Sequence, residues 1–387
     1  MHKLEPPGLA LGYDLVLAAS SASPSHRLAN PLFGWLTAVR DGGSISAAAR
    51  ALGCSYRHAW GELKRWERDM GQALLVWNKG REAKLTPFGH RLLWAHEQAR
   101  ARLAPLIDQL QAELTQGIAR AYDDSTQLLT MAASHDLLLP RLRDHLATHA
   151  VALDIRYCGS VAALKLLDQG AVHVAGFHVA DAQPIGSLTV RTFKRLLKPG
   201  THKLIGFVKR KQGLAVAAGN PLQLRALVDV VRARYVNRPR GTGTRLEFDQ
   251  LLATHGITPT QIEGYRREEP THLAVASAIA SGSADAGLCI EAAARQFGLD
   301  FVPVLDETYY LVTRKSQLNL PAIQTLQAAL ADTAWQTIAA AVPGYAVHDS
   351  GRILKLTEAM PWYRFSKPQP PTDTPPAAHL PPARRGA

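Results

Sequence analysis

Residues 42–71, "GGSISAAARALGCSYRHAWGELKRWERDMG", decide the fold of the first part of the chain. Ser44 or Ser46 is placed to cap a helix, and Ala47, Ala48, Ala49, Ala51 and Leu52 form its small-residue body. Gly53 suits the left-handed position that ends it. A second helix restarts with Ser55 as N-cap. Its Ala59, Leu63, Trp66 and Met70 recur at i, i+4, i+7 and i+11, which is one buried stripe. The other face carries Tyr56, Arg57, Trp60, Lys64 and Arg68. Two helices about a tight glycine turn, the second presenting cations and hydrogen-bonding aromatics, match the helix-turn-helix that reads a DNA major groove. A helical hairpin with a solvated basic face gives the same pattern over these residues.

The next stretch, "ALLVWNKGREAKLTPFGHRLL" (73–93), separates the two. An apolar run from Leu74 to Trp77 meets a turn at Asn78-Lys79-Gly80-Arg81, Ala83 to Leu85 return, and Thr86-Pro87 opens a helix as cap and N1 residue. This is a two-stranded wing with a basic tip, so Ser55, Tyr56, Arg57, Trp60 and Lys64 are expected at DNA from the helix. Lys79, Arg81 and Lys84 are expected at phosphates or an adjacent minor groove. The order of elements, with "GSISAAARALGCSYRHAWGELKRWE" and "LTPFGHRLL", resembles the winged helix-turn-helix of bacterial LysR-type regulators, and most closely the DNA-binding domain of molybdate-responsive regulators. That resemblance covers about residues 30–115 and implies double-stranded DNA as a partner.

The chain has 387 residues, 47% of them hydrophobic and 20% charged, enough for two or three domains with sizeable cores. A net charge of +12 favours an anionic partner or simply aids solubility. Cys54, Cys158 and Cys289 show no CxxC spacing, which argues against a disulfide framework or a zinc site and for a reducing cytoplasm. Neither a signal-peptide pattern nor an apolar run long enough to span a bilayer is visible, so a cytoplasmic protein without membrane contact is expected.

Residues 1–28, rich in Ser, Ala and Pro, read as a loose arm, and 364–387, "SKPQPPTDTPPAAHLPPARRGA" in part, as a Pro-rich disordered tail. The winged domain is placed at 29–86. From Pro87 to about 117 runs one helix whose Leu92, Leu93, His96, Ala99, Leu103, Leu106, Ile107, Leu110 and Leu114 give a nearly continuous apolar edge. It packs on its own domain or, as winged regulators do, on a second copy, giving a homodimer or dimer of dimers. Gly117 to Ser125 reads as a polar linker.

Residues 126–355 repeat one unit: "LLTMAASHDLLLPRL", "VALDIRYCGSVAALKLL" and "RARYVNRPRGTGTRLEFDQLL" each show a β run, a small polar turn and the start of a helix. Such α/β alternation predicts parallel sheets with ligands beside helix N-termini. Ser134, Ser160, Thr242, Thr244 and Thr271 stand at such turns, with Gly159 and Gly243 beside them. They are either ordinary caps or hydroxyl and amide donors to an anion. "SHD" (134–136), "GS" (159–160), "KRKQGLAVAAGNP", "VNRPRGTGTRLEFDQLL", "GYRREEPTHLAVASAIASGSADAGL" and "LDFVPVLDETYYLV" together resemble the periplasmic-binding-protein-like domain of molybdenum-linked proteins. This resemblance implies two lobes, 127–206 with 302–355 and 207–301, hinged near 203–208 and 301–305.

The resemblance suggests molybdate or tungstate as effector, with no other cofactor and no bound metal. His135, Asp136, Glu268, Glu269 and His272 lie next to the turns, where carboxylates would repel a bare dianion. A molybdopterin-type ligand would use them, with Arg238 and Arg245 on its phosphate, and a small carboxylate such as formate is a further candidate. Catalysis is not expected: "GTGTR" lacks the Lys of a P-loop, and no nucleophile or metalloprotease motif occurs. The sequence thus predicts an N-terminal winged helix-turn-helix, a linker helix and a two-lobed α/β effector domain of a transcription regulator.

Overall fold

The computed structural model describes residues 31–77, 82–122, 127–184 and 186–363. The expected arm, the tip of the wing with Lys79 and Arg81, and the Pro-rich tail lie outside these residues.

Helix α1 (Pro31–Gly42) buries Leu32, Trp35, Leu36 and Val39, the i, i+3, i+4, i+7 stripe of an amphipathic helix. Helices α2 (Ile45–Ala51) and α3 (Tyr56–Met70) start where their caps predict. Ser44 accepts from the Ala47 amide at 3.1 Å, Ser55 from that of His58 at 3.2 Å, and Gly53 takes a φ of +67°. Ala59 and Leu63 enter the core with the α1 stripe, while Trp66 and Met70 pack at its edge. Strands β1 (Leu75–Trp77) and β2 (Ala83–Leu85) pair antiparallel as the wing.

Helix α4 (Pro87–Tyr122) runs 36 residues, about 54 Å at 1.5 Å per residue. It therefore passes the end expected near 117 and takes in the first part of the stretch read as a polar linker. Thr86 caps it, accepting from the Gly89 amide at 3.0 Å.

The second domain follows as β3 (Gln127–Ala133), α5 (Leu139–Ala147), β4 (Val151–Tyr157), α6 (Ser160–Gln169), β5 (Val174–Ala180), α7 (Leu188–Leu196) and β6 (His202–Val216), then α8 (Gly243–Thr254) and α9 (His272–Ala280). It is completed by β7 (Ala286–Ile290), α10 (Glu291–Gln296), β8 (Asp300–Arg314), α11 (Pro321–Ala331), α12 (Thr333–Ala340), β9 (Tyr345–Val347), β10 (Ile353–Leu354) and α13 (Leu356–Ala359).

Among the described strands only β3 with β4 and β5 pairs in parallel; β5 with β8, β8 with β6, and β6 with β7, β9 and β10 are antiparallel. The wholly parallel sheet expected from the alternation is thus a mixed one. The reason is that β6 and β8 are two 15-residue strands that run side by side through both lobes and must return antiparallel. In the third repeat unit, Tyr235 and Asn237 make isolated bridges to Ala286 and Glu268 in place of a strand.

The crossing between lobes also differs from expectation. β9 holds β6 to lobe one as far as Arg210, and β7 holds it to lobe two from Gln212, so the chain changes lobe between Arg210 and Gln212, later than 203–208. On β8 the facing residues are Glu307 and Leu305. Packed chain continues beyond 355 to Tyr363, whose hydroxyl donates to the Leu197 carbonyl at 2.6 Å.

Candidate functional site

Two places gather chemistry, the outer face of α3 and the interior between the lobes. On α3, Tyr56 and Trp60 are 50% and 43% exposed, a poor situation for aromatic rings unless a partner covers them. Arg57 is exposed beside them and forms no ion pair among the described residues. Lys64 differs from its expected role: its ammonium donates to Glu67 at 2.6 Å. The same carboxylate accepts from the Leu74 and Leu75 amides at 2.8 and 3.1 Å, fastening the end of α3 to the wing. Burial works against the charge of Glu67, but Lys64 and the two amides hold its carboxyl below the ordinary value. Lys84 on the wing is exposed, 3.7 Å from Glu82.

Between the lobes, the short β3–α5 loop presents Ser134, His135 and Asp136, all buried. Ser134 sits five residues before α5 and caps nothing; its hydroxyl lies 3.2 Å from that of Ser160, the first residue of α6. Gly159 precedes it because nothing larger fits: a Cβ there would stand 2.7 Å from the Gly241 carbonyl of lobe two. Likewise, a Cβ on Gly243 would stand 2.5 Å from the His178 ring. The lobes therefore touch, with the N-terminus of α8 lying against lobe one.

The centre of this interface is Arg210, fully buried on β6 at the crossing. Its guanidinium bridges Asp136 and Glu307 over the ring of Tyr309, 5.0 Å below. Tyr345 donates to Asp136 at 2.7 Å. Glu307 also meets His178 Nδ1 at 2.6 Å and accepts from Gln212 at 2.6 Å, and Gln212 in turn reaches the Thr244 hydroxyl at 3.0 Å. Burial alone would raise the Glu307 pKa, yet Arg210 and His178 hold it at about 2. Burial lowers His178, His135 and His272, the second to about 4, so all three imidazoles are neutral donor–acceptors at neutral pH.

Arg238 is in the opposite situation to Arg210. It is 2% exposed, donates to the Glu269 carbonyl at 2.8 Å, and has no carboxylate partner among the described residues. Burial, then repulsion from Arg210, pushes its pKa down to about 9. Its Nε makes no hydrogen bond, and neither do Arg210 Nη2, Gln212 Oε1 or His272 Nδ1. Arg210 and Arg238 are near enough to His135 and His272 to depress their proton affinity.

Several residues expected at the ligand are committed elsewhere. Thr242 caps α8, accepting from the Arg245 amide at 3.3 Å and donating to the Pro239 carbonyl at 2.8 Å. Arg245 pairs with Asp249 at 3.0 Å and Glu268 at 2.9 Å and lies over the Tyr265 ring, so it is not aimed at an anion. His135 lines a cavity of about 830 Å³ where α4 covers the seam of the lobes, bounded by Trp94 and Ile107 of α4, Leu137 and Pro140 of lobe one, and Leu273 and Phe297 of lobe two. The carboxylates that looked repulsive are neutralised: Asp136 by Arg210, Glu268 by Arg245, and Glu269 by Arg102 of α4 at 2.8 Å.

Thr271 is also spoken for, and its partner is informative. It caps α9 through the Ala274 amide at 2.9 Å and donates to the Ala101 carbonyl of α4 at 3.1 Å. That carbonyl lacks its helical partner because residue 105, four positions on, is a proline with no N–H. Arg102 and Ala101 thus dock α4 beside the cleft, on α9, which is buried along nearly its whole length.

The residues that reasoning from sequence missed, Arg210, Gln212, Glu307 and Tyr309, did carry a signal. Each pair is spaced i, i+2 in a β run, which puts the two polar side chains on one face of the strand, and both members of each pair are buried.

Comparison with known proteins gives the following. Residues 33–90 match the bacterial regulatory helix-turn-helix proteins of the lysR family, and residues 143–331 match the PBP superfamily domain. An uncharacterised Bacillus subtilis (strain 168) protein, YvgK, is 34% identical over 200 residues; the match takes in 51% of this chain and 65% of that protein, just under two thirds of its length. An uncharacterised Clostridium pasteurianum protein, from the 5′ region of a ferredoxin 2Fe-2S gene, is 34% identical over 108 residues, 28% of this chain and 96% of its own. Among solved structures, full-length BenM overlaps with a TM-score of 0.39 at 18% identity, covering 77% of this chain and 94% of its own. No described helix is long and apolar enough to cross a membrane. The chain thus carries a helix-turn-helix of the lysR-family type over residues 33–90 and a PBP superfamily domain over residues 143–331.

Proposed function

We propose that the chain is a DNA-binding transcription regulator that senses a small anion between the two lobes of its effector domain. The observation that carries the sensing half is Arg238, a buried guanidinium with an unused Nε and no carboxylate to balance it. An isolated buried charge is costly, and an anionic ligand is the partner that removes the cost. The Ser134–Ser160 hydroxyl pair, His272 Nδ1 and Arg210 Nη2 supply further hydrogen-bonding groups around it. Gly159 resting on Gly241 scales the closed cleft to a small oxyanion, molybdate or tungstate before others, with formate as the planar alternative. A molybdopterin-type ligand fits less well, because Arg245, which would hold its phosphate, is already paired.

The route to DNA runs through α4. His272 at the cleft follows Thr271, whose hydroxyl holds the carbonyl freed by Pro105, while Arg102 holds Glu269, whose carbonyl is the acceptor of Arg238. Leu106, Leu110 and Leu114, spaced four apart and 40–53% exposed, face away from this docking and pair with a second copy, making a homodimer that presents two α3 helices.

Calorimetric titration of the full chain with molybdate, tungstate, sulfate and formate tests the site. One of these anions binds the wild type, and Arg238→Gln weakens it by about 1.5–3 kcal/mol, the range for hydrogen bonds to charged groups. Absence of binding by all four, or equal affinity in the variant, contradicts the assignment.

A further inference from the structure

We propose that His145, His149 and Asp332 form a site for a zinc-class divalent cation on the outer side of lobe one, remote from the cleft. The three residues come from the two segments of lobe one that lobe two separates in sequence. His145 lies in the last turn of α5, His149 follows the end of that helix, and Asp332 caps α12. Their ligand atoms all lie within 4.8 Å of one another.

The internal geometry is that of groups arranged about a point, not of groups paired with each other. Asp332 uses Oδ1 for the cap, accepting from the Ala334 amide at 2.9 Å. Its Oδ2 faces His145 Nε2 at 3.7 Å, too long for a hydrogen bond. It is close to the separation of about 3.4 Å between two ligands that each stand about 2.1 Å from a tetrahedral ion. The His145 and His149 rings are 5.1 Å apart and nearly perpendicular, at 79°. His145 is held by packing against the buried Trp335 and has one competing contact, 3.3 Å from Nε2 to the Ala329 carbonyl, which a metal replaces. His149 is exposed and leaves the remaining coordination position to water.

Two imidazoles and one carboxylate favour zinc and its transition-metal neighbours over calcium or magnesium, which take mainly oxygen ligands. A cation here clips α5 to α12, joining the chain before lobe two to the chain after it, and so stabilises lobe one by mass action.

The experiment uses the untagged full chain after EDTA treatment. Cobalt(II) serves as the spectroscopic probe and zinc as its competitor, alongside thermal unfolding. His149→Ala removes an exposed ligand, and Asp332→Asn removes the carboxylate while keeping a good helix cap. The wild type is expected to bind one cobalt with intense tetrahedral visible absorption, to exchange it for zinc, and to melt higher with zinc than with EDTA. Both variants are expected to bind roughly tenfold or more weakly and to lose the zinc-dependent rise, while melting like the wild type in EDTA. A wild type without the tetrahedral spectrum or the rise overturns the proposal. So does either variant binding as the wild type does, since the cation then sits elsewhere among the chain's 15 histidines.

Discussion

Arg57 and Lys64 stand about two helical turns apart on α3, yet their substitutions report different things. Arg57 is exposed and forms no ion pair among the described residues, so Arg57→Ala should weaken binding to duplex DNA, flatten the slope of log affinity against log salt by about 1, and leave the melting temperature unchanged. Lys64→Ala also releases Glu67 from one of its partners and should lower stability as well. A salt series with melting curves separates the two, and an unchanged slope in Arg57→Ala removes α3 from the interface. Glu247 makes the pH prediction. It is buried on α8, takes two hydrogen bonds from Gln183 of lobe one, and burial raises its pKa from 4.5 to about 7. A carboxyl raised on folding contributes stability that is complete below about pH 4.5 and is lost as pH climbs through about 7. Melting temperatures across that window should therefore fall less steeply in Glu247→Gln than in the wild type, and identical slopes would remove Glu247 as their cause. Caps such as Ser44 and Ser55 were legible in the sequence because a cap acts within three residues. Glu67, Glu247 and Glu307 were not, since each is fixed by a partner from outside its own helix or strand.

At the scale of elements, α4 is the helix that joins the winged domain to the second domain and docks on α9. Arg102 is half exposed and worth little by itself, but it is the ion-pair partner of Glu269, which is 2% exposed. Arg102→Ala should therefore cost about 1–3 kcal/mol by leaving a buried carboxylate unpaired. Glu269→Gln should cost less, and the double variant should be no worse than Arg102→Ala alone. Denaturant melts of the four proteins give the cycle, and simple additivity would show that the pair does not dock α4. The opposite side of the same helix is tested by replacing Leu106 and Leu110 with Glu, which should turn a dimer into a monomer by light scattering without lowering helix content. A wild type that is already monomeric, or a variant that stays dimeric, contradicts the pairing. The apolar edge of α4 was readable as a helix needing a partner. It was not readable which residues face which partner, because Leu93 and Ala101 are buried within the chain while Leu106 and Leu110 are exposed. The effect of Pro105, a freed Ala101 carbonyl, depends on Thr271, far along the chain.

For the whole molecule, Arg210, Gln212 and Glu307 lie where β6 and β8 pass from one lobe to the other, so the ion cluster and the crossing are the same place. On the proposed function, an anion that engages Arg238 across from this cluster would favour the closed arrangement, in which Gly159 rests on Gly241, and α4, tied to Glu269 through Arg102, would carry that bias to the winged domain. The two-domain plan was visible in the order of strand and helix patterns, and the two lobes were implied by the resemblance to periplasmic-binding-protein-like domains. The crossing was not visible, although β6 breaks its apolar pattern there with the polar run Lys209–Gln212, because which sheet partner each half of a continuous strand takes is decided by segments far along the chain. Linkage makes the claim measurable, since a ligand that shifts the lobes must change DNA affinity by the same factor that DNA changes ligand affinity. The most direct measurement is the affinity of the full chain for a mixed-sequence duplex at fixed salt, with and without the anion that calorimetry identifies, in the wild type and in Arg238→Gln. The account predicts a change of about 5-fold or more in the wild type, the lower end of typical coupling, and none in the variant. Duplex binding that is absent, or that is the same with and without a bound anion, would contradict it.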